Sequence, residues 1–137
     1  MFYRAVLSAA VLLIAASVTP VLATTDQRLV GYMPVDLSSW QPRTAPSVMA
    51  LVEQLYRGHP EAVEGRPTLK IDLRRDSGDA IVVDIEMRGY LDHSVDGEDF
   101  RAFVIWTEKG WRLDALGVRY ICSGGETPGV PVTTLCP

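Results

Sequence analysis

Histidine and cysteine are scarce in this chain of 137 residues, two of each, and the scarcity excludes a good deal. With only His59 and His93, there is no histidine set for a metal site. Cys122 and Cys136 stand too far apart for a CxxC redox or zinc motif. A basic stripe is lacking as well: 13 Lys and Arg face 17 Asp and Glu, for a net charge of −4. A phosphate backbone requires such a stripe, so nucleic acid is excluded as a partner. No phosphate-binding glycine loop, no nucleophile–base pair, no internal repeat and no low-complexity tract appears.

What is present begins with residues 1–23. Arg4 supplies a positive end, Ala5 to Val18 an apolar stretch, and Val21-Leu22-Ala23 a small-x-small cleavage pattern after Pro20, which together read as an export signal. The rival reading, an uncleaved anchor of roughly 20 apolar residues, is disfavoured by Pro20, the serines and the cleavage pattern. It would provide the chain's one contact with a membrane. Thr24 in place of a cysteine after the cut argues against lipidation. The remainder is the length of one domain, and the expected location is periplasmic or secreted. In such an oxidising compartment Cys122 and Cys136 are expected to form a disulfide that tethers a Gly- and Pro-rich tail.

The organisation predicted from pattern has three parts after the signal: an extended arm over 24–43, a helix-plus-sheet domain over 44–122 and the tethered tail over 123–137. The arm has room for one short strand around Leu29 to Met33. Val48, Leu51, Val52 and Leu55 fall at i, i+3, i+4, i+7, which predicts a helix from Ala45 to Arg57 with Thr44 as its cap and Gly58 as its stop. From Leu69 the period changes to two. Leu69, Ile71 and Leu73 alternate with Lys70, Asp72 and Arg74, and Ile81, Val83, Ile85 and Met87 with Val82, Asp84, Glu86 and Arg88, giving strands with one wet face. Further strands are expected over Phe100 to Thr107 and Trp111 to Cys122, with Gly117 as a bulge or bend. The expected fold class is therefore α+β: an N-terminal amphipathic helix packed on a four-stranded antiparallel meander sheet. That element order is similar to the cystatin-like and NTF2-like folds, an analogy that assigns no function.

Several clusters invite a chemical reading. Asp92-His93-Ser94 has the residue types of a catalytic triad, but neighbours in sequence point apart, whereas a triad converges from separate elements. Turn-forming side chains suit the segment better, and no catalytic residue is assigned. Asp92, Ser94 and Asp96, followed by Gly97 and Glu98, resemble the opening of a calcium loop. The twelfth position is Phe103 instead of the bidentate glutamate such loops need, so Asp92, Ser94, Asp96 and Glu98 form at best a weak calcium set, and no cofactor is expected. Trp40, Trp106 and Trp111 read as packing residues, the last two able to pair across a turn. Arg74-Arg75 reads as a solvated strand end.

The run Leu91-Asp92-His93-Ser94-Val95-Asp96-Gly97-Glu98-Asp99-Phe100-Arg101 resembles the "DDSVxGxxYR" segment of a group of small exported bacterial proteins with no assigned activity. Gly110-Trp111-Arg112-Leu113, Tyr120-Ile121-Cys122 and Cys136-Pro137 are similar to that group's later segments. Pro131-Val132-Thr133-Thr134 departs from its acidic–aromatic pair before the last cysteine. The resemblance implies an exported domain with a C-terminal cysteine pair.

The function expected from all this is an exported, non-enzymatic binding or accessory module of the bacterial cell envelope. Its partner would be an envelope or extracellular protein or a small ligand. The alternative is a small NTF2-like ligand-binding protein or enzyme with a cavity between helix and sheet. An exported inhibitor acting through its tail is a third, weaker reading.

Overall fold

Period-two alternation in the second half of the chain builds four long strands, and shorter pieces from both ends of the chain complete the sheet around them. The structure is a computed structural model that describes residues 26–38, 40, 43–57, 67–76, 78–91 and 93–137. The signal segment, His59 and Asp92 lie outside the described residues. In chain order the elements are a 3-10 turn Gln27–Leu29, β1 Met33–Pro34, β2 Thr44–Ala45, α1 Val48–Tyr56, β3 Thr68–Arg75, β4 Ile81–Arg88, β5 Val95–Thr107, β6 Gly110–Cys122 and β7 Pro131–Val132. They form one seven-stranded antiparallel sheet in the order β1-β6-β5-β4-β3, with β2 and β7 also paired to β6.

The expected α+β arrangement, a helix laid on a four-stranded sheet in cystatin-like or NTF2-like fashion, is overturned. The fold is mostly β, with seven strands and one short helix. The reason lies at β6. A strand of 13 residues left open along one side would expose a long row of unpaired N–H and C=O groups. Three two-residue strands cover that side in turn: β2 against Arg112 and Trp111, β1 against Val118 and Gly117, β7 against Tyr120 and Ile121. Between them, Val35 N–H donates to Leu116 C=O at 2.8 Å and Leu113 N–H to Arg43 C=O at 2.9 Å. Two-residue strands have no periodicity to read.

The helix is also smaller than expected. Ser47 caps it through a bond from Ala50 N–H, while Thr44 and Ala45 belong to β2. Nine residues are too few to hold a helix in water unaided. Its stability comes from Leu51, Val52 and Leu55, which are buried against Val83, Ile85, Met87, Ala102, Val104, Leu113 and Leu116. Burying each such side chain contributes about 1.5–3 kcal/mol.

The opposite sheet face is covered as well, by the N-terminal arm. Leu29 and Tyr32 pack on Val82, Phe103 and Ala115. The predicted strand at Leu29 to Met33 is instead a 3-10 turn that leads into β1. The predicted bulge at Gly117 falls elsewhere: Phe103 pairs with Ala115 and Val104 with Leu113, so Asp114 is the extra residue. Gly117 has a different role. A Cβ there would lie 2.7 Å from Tyr32 Cβ, so glycine is what lets the tyrosine lie flat on the sheet.

Candidate functional site

Two features stand out from this scaffold: a ladder of charges under the arm and a covalently tied loop at the end of β6. The ladder follows from alternation and register. Asp84, Glu86 and Arg88 occupy one face of β4, and Gly97, Asp99 and Arg101 sit beside them on β5, with Asp99 opposite Glu86 and Arg101 opposite Asp84. Arg119 on β6 is opposite Asp99, and Gly117 opposite Arg101. Asp99 is the one buried charged residue among those described, 1% exposed. Its two oxygens accept from Arg88 Nη1 at 2.6 Å and from Arg119 Nε at 2.8 Å. Asp84 accepts from Arg101 Nε at 2.7 Å and Nη2 at 3.2 Å and is also paired with Arg74. Arg74 and Arg75 are the exposed end of β3, as expected, and Arg74 also reaches into the ladder.

Tyr32 lies across the ladder. The guanidinium carbons of Arg101, opposite Gly117 on β5, and of Arg119, two positions beyond it on β6, each sit 4.7 Å from its ring centre. Arg28 does the same to Phe103 at 4.8 Å while bonding Asp26 and Asp114. Each such contact is worth about 0.5–1 kcal/mol where exposed and more where dry. Burial pushes the Tyr32 phenol up, against the pull of Arg101 and Arg119, so it stays protonated at neutral pH. Burial also opposes ionisation of Asp84, but the bonds from Arg101 and Arg74 outweigh it and hold the carboxyl below its ordinary value. Both carboxylates are committed to arginines. The ladder's chemistry is that of a clamp, joining four strands, β3 to β6, and pinning the arm.

The sequence reasoning missed this clamp. Its signal was charge at alternate positions, Asp84, Glu86 and Arg88 and then Asp99 and Arg101, but their pairing depends on strand register.

The loop is the other feature. Cys122 and Cys136 are disulfide-bonded with Cα atoms 5.5 Å apart, which points to an oxidising, non-cytoplasmic environment. Between them residues 123–131 and 133–135 are exposed, with Val130 at 51% and Leu135 at 74%. The segment is better held than its glycines and prolines suggest: β7 pairs with β6, and Gly129 N–H donates to Cys122 C=O at 3.0 Å.

The calcium candidates are dispersed in their environments. Asp92 lies outside the described residues, Ser94 precedes β5, and Asp96 and Glu98 lie within the strand where a loop was expected. Tyr90 O–H donates to Glu98 Oε2 at 2.9 Å, and burial together with Glu98 drives the phenol well above its ordinary value. Among the described residues no group of three or more His, Cys, Asp or Glu is placed to hold a metal ion. His93 is exposed beside Ser94, whose C=O accepts from Ser123 N–H. Trp106 and Trp111 meet edge to face, 5.4 Å between centres. The space between α1 and the sheet is occupied by the core side chains already named.

No helix among the described residues is long and apolar enough to cross a membrane. In comparison with known proteins, the chain matches no family model, no curated protein and no solved structure.

Proposed function

We propose that this protein is an exported, non-enzymatic binding or accessory module of the bacterial cell envelope, and that it engages a protein partner through the loop 123–135. The observation that carries the reading is that loop, which is covalently closed, laddered to β6 and yet exposes Val130 and Leu135. Ordering the loop before binding lowers the entropy cost of association, and exposed apolar side chains on a rigid support are what a partner buries first. Export, with cleavage after Ala23, is supported by the disulfide and by the signal pattern of residues 1–23.

Site-specific photocrosslinking in the living cell tests this. A crosslinker at Leu135 or Val130 should trap one discrete partner, one at Glu108 on the distant β5–β6 turn should not, and Cys136→Ser should weaken the trapping. Equal labelling from Glu108, or none from the loop, would overturn the reading. N-terminal sequencing of the exported chain should begin at Thr24.

A further inference from the structure

The sheet has a second edge, and it is treated differently from the first. Along β3 nothing among the described residues pairs with the outer side. The backbone bond from Asp76 N–H to Ala80 C=O fixes which residues face which way. Asp76 and Ala80 continue the β3–β4 register, in which Arg75 pairs with Ile81. Bonding to β4 therefore falls on the even-numbered residues of β3, and Leu69, Ile71 and Leu73 turn their N–H and C=O outward. Their side chains lie on the helix-covered face, yet Leu69 is 40% and Leu73 43% exposed. An open strand edge with exposed leucines is a ready template for another strand.

We propose that this edge pairs with the same edge of a second copy of the chain, β3 against β3, antiparallel about a twofold axis at Ile71. The strand's own charges select that occupant and that register. With Ile71 opposite the partner's Ile71, Leu69 meets the partner's Leu73 and Lys70 meets the partner's Asp72, each pair occurring twice by symmetry. All outward backbone groups of Leu69, Ile71 and Leu73 then face one another. Sliding the register one way while keeping that match sets Lys70 against the partner's Lys70. Sliding it the other way sets Asp72 against the partner's Asp72 and Lys70 against the partner's Arg74. Like charges directly opposite are destabilising.

Asp72 supplies a second reason. Within its own sheet it stands opposite Asp84, another carboxylate, and it has no ion pair among the described residues, whereas its neighbours Lys70 and Arg74 are bonded to Glu86 and Asp84. An incoming lysine relieves that like-charge contact. The result is one continuous sheet with both helices on the same face. This inference is independent of the loop-based reading above.

Sedimentation of the purified protein together with amide hydrogen exchange tests it. The wild-type chain should sediment as a dimer, with the N–H groups of Leu69, Ile71 and Leu73 protected in a concentration-dependent way. Lys70→Asp alone and Asp72→Lys alone should each loosen the dimer by roughly tenfold or more, because both attractive pairs become repulsive. An equimolar mixture of the two variants should reassociate as a heterodimer, since each then presents the charges the other lacks. A wild-type monomer with freely exchanging edge amides at all concentrations would overturn the proposal. So would a dimer indifferent to both substitutions, a mixture that stays monomeric, or an unrelated protein found occupying the edge.

Discussion

The two faces of the sheet are both covered, but by opposite means. On one, α1 seals an apolar core in which Val52, Val83, Ile85 and Ala102 are wholly buried. On the other, an arm with little regular structure is held by two short apolar contacts and a ladder of ion pairs under Tyr32. Hydrophobic burial needs no particular geometry, so the helix face depends on area. The ladder depends on direction: each carboxylate must meet its arginines at hydrogen-bonding distance, because a buried charge without a partner costs several kcal/mol.

The largest loss of stability is expected from Leu51→Asp. It sets an unpaired charge in the apolar core and should abolish the cooperative thermal transition altogether. A soluble variant that melts cooperatively would show that the helix face is not the main source of stability. Asp99→Asn attacks the other face. Two arginines lose their anion, but both remain partly exposed and can turn toward water, so a loss of about 2–4 kcal/mol in denaturant unfolding is expected. Tyr32→Ala should cost less, about 1–2 kcal/mol, since it removes the cation–π contacts without stranding a charge. Its signature is local: proteolysis or amide exchange in the arm and in β1 should accelerate ahead of global unfolding.

The smallest effect is in acid. Asp84 titrates lower in the folded chain than the ordinary value of 3.8. Its ion pairs therefore contribute fully above that pH, and the contribution is lost as pH falls through the depressed folded value. The melting temperature should drop below about pH 4, and Asp84→Asn should flatten that drop. An acid limb unchanged by the substitution would assign it to other carboxylates, such as Asp26, which its bond to Arg28 also holds low.

How far the residues alone reached differs between the faces in the same way. Leu51, Val52 and Leu55 at helical spacing, and the alternation through Leu73 and Met87, were enough to locate α1, β3 and β4, because periodic burial is written locally. The start of β5 was not legible: Asp96, Glu98 and Asp99 look like loop residues, and Glu98 and Asp99 enter a strand because Tyr90, Arg88 and Arg119 satisfy them. Val82 and Phe103 offered the one hint that the charged face is also covered.

By itself the chain determined where β3, β4, β6 and the helix could form, and that its two cysteines had no better partner than each other. Each of those rests on side-chain pattern or on arithmetic within one segment. Only the tertiary structure decided that β6 would be edged by three separate two-residue strands, that Tyr32 would rest on Gly117 against two arginines, and that Asp99 could be buried. Those choices join residues as far apart as Met33 and Val118, and no local pattern carries them, because their free energy exists only once the register of the whole sheet is set.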